Sequence, residues 1–172
     1  MKYLLKYMLI LAVSVGVSNS AEAQKFGYLN SAAILQEMPE VKQAEADLEV
    51  LQKQLQSKGE TMLKDFQMKY QELERKNQQG EISPKELEEE SQALKADENK
   101  LAQFEQEMQR QVLEKRDELL QPILDRVNVA IEEVAKEEGY TYIFDASPGT
   151  GILLYADEST DVVDKVKAKL GM

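Results

Sequence analysis

The side chains that could do chemistry in this chain are almost all carboxylates. The sequence holds no His and no Cys, so the usual base at neutral pH, the thiol nucleophile and the best ligands for transition metals are absent. Asp145 and Asp157 flank a predicted pair of strands and could form a catalytic carboxylate pair. Nothing near them in the sequence indicates a substrate pocket, so we interpret both as turn residues at strand ends.

Three consecutive carboxylates, Glu88-Glu89-Glu90, could indicate a cation site. They lie in the first turns of a predicted helix, where negative charge is favoured by the positive end of the helix dipole. No convergent loop of oxygen ligands of the kind that calcium requires is visible. We therefore interpret the run as a solvated helix face, and we predict no metal and no cofactor.

An enzyme built from this sequence would have to work with carboxylates, Ser, Thr or Lys. The chain has no glycine-rich phosphate loop and no G-x-S-x-G element. A carboxylate-based or metal-dependent hydrolase is therefore the weakest hypothesis, and we predict that the protein is not an enzyme. The net charge of −11 also disfavours nucleic acid as a partner, because phosphate contacts need Lys and Arg.

Residues 1–23 have the composition of an export signal. Lys2 and Lys6 supply positive charge, residues 8–17 are apolar, and residues 21–23 (Ala-Glu-Ala) match a cleavage site. We predict cleavage after Ala23 and no stable membrane anchor in the mature protein. An uncleaved N-terminal anchor is the alternative, which is disfavoured because the apolar run is short for a membrane span.

Residues 40–138 are predicted to form two long amphipathic helices folded back on each other. Apolar residues recur along both arms at spacings of three and four, which is the pattern of a helix with one apolar stripe. The tip of the hairpin is placed near residues 77–83. There Ser83, Pro84 and Glu86 provide an N-cap, a proline at the first helical position and a capping box for the second arm.

Two residues interrupt the arms. Gly59 lies in the middle of the first helix, where glycine costs roughly 1 kcal/mol relative to alanine. It is interpreted either as a flex point or as a tolerated weakness where the helices approach closely. Pro122 breaks the hydrogen-bond ladder of the second helix and is predicted to kink it. Beyond Pro122 the apolar face widens, as in a helix packed on a core, and Gly139 is predicted to end the helix.

The rest of the mature chain, residues 24–39 and 139–172, is predicted to be a small β-rich oligomerisation body. The fold class is therefore α+β, with the helical hairpin inserted into this body. Its core and subunit contacts are predicted at alternating aromatic and aliphatic positions: Phe26, Tyr28, Tyr142, Phe144, Ile152, Leu154, Val162, Val163 and Val166.

Three short strands are predicted within the body, the last two joined as a hairpin that ends with a strand at 152–156. A last amphipathic helix follows, with Ser159 or Thr160 as its N-cap. Three short strands can neither close a barrel nor cover two faces. We therefore expect the body to associate with other copies of the chain.

The chain resembles the Skp/OmpH periplasmic chaperones of Gram-negative bacteria. The resemblance rests on the export signal, on KFGYLNS at 25–31, on ELLQPILDRVNVAIEEVAKEEGYTYIFDAS at 118–147 and on LLYADESTDVVDKVKAKL at 153–170. It covers essentially the whole mature chain, although the arms carry little family information. The central block is the most specific part, because it joins a proline in a helix to a glycine and an aromatic strand.

This resemblance implies a homotrimer shaped like a jellyfish. A β-barrel body formed by three subunits would hold three helical tentacles around a cavity in the periplasm. The cavity would hold unfolded outer-membrane β-barrel proteins, without ATP, until they are inserted into the membrane. The leading hypothesis is therefore an ATP-independent chaperone of the holdase type.

The charge of the arms departs from the basic character of familiar members of this family. Residues 40–138 carry 15 Lys and Arg against 25 Asp and Glu. Electrostatic attraction to acidic clients would be weak or reversed. Either the clients differ, or apolar contacts dominate.

Flexible, polarizable and aromatic side chains suit the broad contacts that a holdase needs. The predicted client-binding residues on the two arms are Met62, Phe66, Met68, Tyr70, Phe104 and Met108. Most of them have helical spacing and could instead pack one arm against the other; Met68 falls off the main stripe. The alternative function is a periplasmic structural scaffold or spacer, whose apolar seam would stay closed and bind no unfolded chain.

Overall fold

The computed structural model describes residues 24–149 and 151–172, and the predicted signal peptide lies outside them. The described chain is α+β, with two long helices in a hairpin and a small strand region, which confirms the predicted fold class. Its elements in chain order are β1 (Phe26–Leu29), α1 (Ser31–Glu37), α2 (Pro39–Gln79), α3 (Pro84–Glu138), β2 (Tyr142–Asp145), a 3-10 turn (Glu158–Thr160) and α4 (Val163–Leu170).

The helical hairpin consists of α2, with 41 residues, and α3, with 55 residues. At 1.5 Å per residue these helices are about 60 and about 80 Å long. Leu55, Leu73 and Phe104 are buried between them. Gly80 ends α2 in the left-handed conformation, with φ of 68°. The predicted capping box at Ser83 is confirmed, because both of its reciprocal hydrogen bonds are present.

The hydrophobic core lies at the base of the hairpin, where both long helices meet β1, α1 and α4. The widened apolar face of α3 beyond Pro122 packs into this core, as predicted. Pro122 itself lies inside α3, and the kink remains a prediction. The buried residues of the core are Leu29, Ile34, Met38, Val41, Ala44, Ile123, Val127, Ala130, Val134, Val162 and Val166.

The sheet has two strands, β1 and β2, which pair in parallel. On the edge of β1 that faces β2, the carbonyls of Lys25 and Leu29 accept hydrogen bonds from the backbone N–H groups of the residues that flank β2. The Tyr28 carbonyl points to the opposite edge, where it accepts from the Val162 N–H at 2.9 Å. Within one chain both edges of β1 are therefore occupied.

The prediction of a third strand at 152–156 is wrong for the single chain. Ile152 and Leu154 are 65% and 97% exposed, and the segment pairs with no strand in the described chain. Ser147 is bound to the Asp145 carboxylate and accepts from the Ala32 N–H at 3.1 Å. These contacts hold Ser147 beside the start of α1.

The predicted cap of the last helix is also wrong. Ser159 and Thr160 belong to the 3-10 turn, whose N-cap is Asp157. The Asp161 carboxylate accepts from the Val163 N–H at 2.8 Å, at the start of α4. The N-cap itself is Val162, which makes no side-chain capping hydrogen bond. Gly139, by contrast, ends α3 in the left-handed conformation as predicted.

One charged cluster ties the two arms together towards the tip. Lys69 on α2 lies 2.6 Å from the Asp97 carboxylate on α3, and Lys100 lies 2.9 Å from its other oxygen. Hydrogen bonds from these two lysines lower the pKa of Asp97 to about 2. The ionised form of Asp97 is therefore stabilised by the folded hairpin.

We expect the stabilising effect of Asp97 to depend on pH in a defined interval. Its folded pKa of about 2 lies below the ordinary value of 3.8. The stabilisation is therefore complete above the ordinary value and is lost as the pH falls through the folded one. The difference in free energy of unfolding between wild type and Asp97→Asn should shrink across this interval.

Urea unfolding followed by helical circular dichroism at fixed protomer concentration measures that difference. Asp117→Asn, on an exposed part of α3, is the matched control. The same pH-dependent difference in the control would contradict a specific role for the cluster at Asp97.

Candidate functional site

An open apolar groove lies between α2 and α3, about midway along the hairpin. Its volume is about 710 Å³. We call it the arm groove and define it by its lining residues: Gln52, Gln56, Gly59, Glu60 and Leu63 from α2, with Leu101, Phe104, Glu105, Met108, Gln109, Val112 and Leu113 from α3.

Gly59 allows the ring of Phe104 to pack against α2. A Cβ atom at position 59 would lie 3.2 Å from Cε1 of Phe104, which is closer than ordinary van der Waals contact. Phe104 is 9% exposed, and the Lys58 ammonium lies 5.1 Å from its ring centroid. This geometry supports the interpretation of Gly59 as a site of close helix approach. A role for Gly59 as a flex point remains a prediction.

The arm groove contains two of the six predicted client-binding residues. Phe104 is mostly buried and packs in the seam between the arms, whereas Met108 is half-buried along the groove. The burial of Phe104 favours the packing alternative for that residue. Met108 is partly exposed along the groove, and contact of either residue with a client remains a prediction.

The other four predicted residues lie nearer the tip. Met62 and Phe66 line a separate depression of about 140 Å³, and the Phe66 and Tyr70 rings lie 6.5 Å apart. Met68 and Tyr70 are 52% and 48% exposed. The structure therefore distributes these residues along α2 instead of joining them to Phe104 and Met108, and their contact with a client remains a prediction.

Sequence reasoning missed two exposed leucines of the groove. Leu63 and Leu113 are 43% and 56% exposed. Each directly follows an apolar residue of its helix, Met62 and Val112. Such adjacent apolar pairs widen a stripe on a helix surface, and this was the available signal.

A second apolar surface covers the outer face of the two-stranded sheet. The alternation along the strands puts Phe26, Tyr142 and Phe144 together, with ring centroids 5.9 to 6.3 Å apart. Phe26 and Tyr142 are 44% and 55% exposed. Burial raises the pKa of the neighbouring Tyr28, and the negative charge of Asp161 adds to this.

The nine residues predicted for the body separate into two groups. Val162 and Val166 are fully buried in the core of the single chain, and Val163 packs against that core. The aromatic residues of the sheet and the exposed pair Ile152 and Leu154 have no comparable cover within one chain. Their role as subunit contacts remains a prediction.

The carboxylates singled out in the sequence have structural partners. Asp145 accepts hydrogen bonds from the backbone and hydroxyl of both Ser31 and Ser147. Partial burial raises the pKa of Asp145, but these hydrogen bonds together outweigh it and the pKa falls below its ordinary value. Asp157 caps the 3-10 turn. Asp145 thus lies at a strand end, as interpreted, whereas Asp157 precedes a turn that adjoins no strand along the described chain.

The three consecutive glutamates at the start of α3 also have local partners. Glu88 accepts from the Gln92 amide at 3.4 Å. Glu89 and Glu90 pair with Lys85 and Lys76, at 3.7 and 3.2 Å. Within residues 24–149 and 151–172, no cluster of acidic side chains has the arrangement of a metal site.

No helix in the part of the chain that the structure describes combines the length and the apolar character that crossing a membrane requires.

Comparison with known proteins identifies relatives over most of the chain. The family model of OmpH-like outer membrane proteins matches residues 25–170. Chaperone protein Skp from Yersinia enterocolitica is 30% identical over 159 residues, which cover 91% of this chain and 92% of that protein. Chaperone protein Skp from Photorhabdus laumondii subsp. laumondii is 33% identical over 159 residues, with the same coverage of both chains.

A crystal structure from Caulobacter crescentus CB15, described as an OmpH-like outer membrane chaperone, has a similar fold. Its TM-score is 0.71, and the match covers 86% of this chain and 84% of that chain. The identity is 18%, so this likeness supports the fold alone.

We expect Gly59→Ala to raise the free energy of unfolding by less than a glycine-to-alanine substitution usually does inside a helix. In a helix interior, alanine is favoured over glycine by roughly 1 kcal/mol. The new Cβ would displace the Phe104 ring, so this gain should be absent in the wild-type background. In a Phe104→Ala background the same substitution should recover about 1 kcal/mol.

The free energies of unfolding of the four proteins in this double-mutant cycle measure the coupling between the two residues. Equal gains in both backgrounds would show that Gly59 is only a weak helix position, with no energetic link to Phe104.

Proposed function

Because the chain belongs to the OmpH-like outer membrane protein family, we propose that it is an ATP-independent periplasmic chaperone that holds unfolded outer-membrane proteins. The Skp relatives are named as chaperones, which supports a role in binding and not in catalysis. In this proposal residues 1–23 are a cleaved signal peptide. The observation that carries the proposal is the arm groove, an apolar surface that the hairpin itself leaves open.

Apolar surface on the arms is what a holdase requires. Leu63, Met68 and Leu113 are each more than two fifths exposed. A two-helix hairpin that served only as a spacer would gain stability by covering such side chains, because apolar burial contributes about 25 cal/mol per Å². The exposed side chains favour many weak contacts with an unfolded chain over one specific site.

We propose that the body forms a homotrimer through its uncovered apolar surface. The aromatic face formed by Phe26, Tyr142 and Phe144 and the exposed segment at 152–155 would contribute to the contacts between subunits. In the part of the chain that the structure describes, this segment pairs with no strand, and packing against a strand of another subunit would pair its backbone groups. Three arms held in this way would enclose a cavity for the client.

The first prediction concerns the holding of a client by the assembled protein. The full chain recovered after export is sized by light scattering, alone and after addition of an outer-membrane barrel protein diluted from urea. We expect a mass of three protomers alone, an added client mass in the mixture, and no client precipitation. A trimer that leaves the client to precipitate would indicate a scaffold instead of a chaperone.

The second prediction concerns the subunit interface. Phe144→Asp should dissociate the trimer, because it places an unpaired charge in an apolar contact. Tyr28→Asp should have the same effect, and it also adds negative charge beside Asp161 and Glu158. The measurement is the protomer number by light scattering, with circular dichroism to confirm the helical content.

Tyr70→Asp is the matched control for this interface, because Tyr70 is an exposed aromatic residue of the arm. The control should remain trimeric. A trimer that survives both substitutions in the body would refute the proposed interface.

A further inference from the structure

We propose that the arm groove is a client subsite selective for apolar segments flanked by Lys or Arg. This inference rests on the proposed chaperone function and adds to it the chemistry of the segments that bind. Three observations support it: the groove is lined by apolar side chains, its carboxylates Glu60 and Glu105 form no ion pair in the described chain, and both arms have an excess of acidic residues.

The floor of the groove fits an apolar side chain. Phe104 and Met108 line the groove together with the exposed side chains of Leu63 and Leu113. A thioether beside an aromatic ring adapts to ligands of different shape. The groove is thus suited to aliphatic and aromatic side chains without requiring one particular sequence.

The charged residues of the groove are all acidic. Glu60 and Glu105 are its two charged lining residues, and no Lys or Arg is among the twelve residues that line it. The Lys58 ammonium lies over the ring of Phe104, 5.1 Å from its centroid, and offsets part of this negative charge. Glu60 accepts a hydrogen bond from the Gln56 amide at 3.0 Å. Neither carboxylate forms an ion pair within the described part of the chain.

Several other carboxylates of the two arms are already paired. Arg110 lies 2.6 Å from both Glu107 and Glu114, and Lys53 pairs with Glu49. The charge on Glu60 and Glu105 is therefore available to a ligand, whereas the charge on these other carboxylates is partly neutralised.

The polar rim suits a polypeptide. Gln52, Gln56 and Gln109 line the groove, and an amide side chain can both donate to and accept from a peptide backbone. A client segment could therefore place apolar side chains on the floor and its backbone against the rim. Cations at the ends of the segment would then reach Glu60 and Glu105.

The overall charge acts in the same direction over a longer range. The arms carry 25 acidic against 15 basic residues, so their field attracts cationic segments. This general attraction would fall by a similar amount whichever acidic residues of the arms were removed, whereas the proposed subsite depends on Glu60 and Glu105. The experiment must separate these two effects.

The test uses the full chain recovered after export and three labelled peptides. The peptides share one apolar, aromatic core and carry Lys, Gln or Glu at both ends. Fluorescence anisotropy at low salt should show the Lys-flanked peptide binding about 2- to 30-fold tighter than the Gln-flanked one, the range for two exposed ion pairs. Added salt should reduce this preference.

Two double variants distinguish the subsite from the general field. Glu60→Gln with Glu105→Gln should abolish most of the preference for the Lys-flanked over the Gln-flanked peptide, a ratio of two affinities that is measured on the same variant. Glu45→Gln with Glu98→Gln removes the same charge from exposed positions outside the groove. This control pair should retain the preference.

Three outcomes would overturn the inference. The first is equal affinity for the three peptides. The second is an equal loss of preference in both double variants, which would assign the effect to the general field. The third is competition by self-association: if raising the protein concentration increases the mass of the protein in solution and weakens peptide binding, a second copy of the chain occupies the groove.

The assay with the unfolded barrel protein separates this inference from the proposed function. If the protein keeps that client soluble but shows no preference among the peptides, the subsite is refuted and the chaperone function stands. If it neither holds the client nor binds any peptide, both proposals are refuted.

Discussion

A hairpin of two helices cannot cover all of its own apolar surface, and this constraint governs the rest of the structure. Beyond the core at its base, each arm has the other arm as its neighbour within the described chain, so a residue there is buried only where it faces that arm. Leu55, Leu73 and Phe104 meet this condition, whereas Leu63 and Leu113 do not. The uncovered residues give the arm an apolar surface that a ligand can reach.

The small sheet depends on the same hairpin. β1 and β2 are parallel, and parallel neighbours require a crossover connection. Here the crossover consists of α1, α2 and α3. Core contacts of α3, from Ile123 to Val134, join this crossover to the residues packed under the sheet. The body that would join subunits and the arms that would bind clients are therefore one continuous packing unit.

The electrostatic character of the arms modifies the expected mode of binding. Family resemblance supports a chaperone, but the excess of acidic residues is opposite to what the resemblance leads one to expect. In the structure many of these carboxylates are used within the arms, as at Asp97 between Lys69 and Lys100. Those that remain unpaired beside the groove offer a physical basis for choosing among clients.

Much of the architecture was determined by the sequence alone, because helix ends depend on local chemistry. The capping box at Ser83 and the glycine at 139 act over a few residues and were predicted correctly. The place of residues 152–156, the packing of Phe104 on Gly59 and the unpaired state of Glu60 and Glu105 were decided by tertiary structure. Each depends on which edge, ring or cation lies opposite it in space, and those partners are distant in sequence.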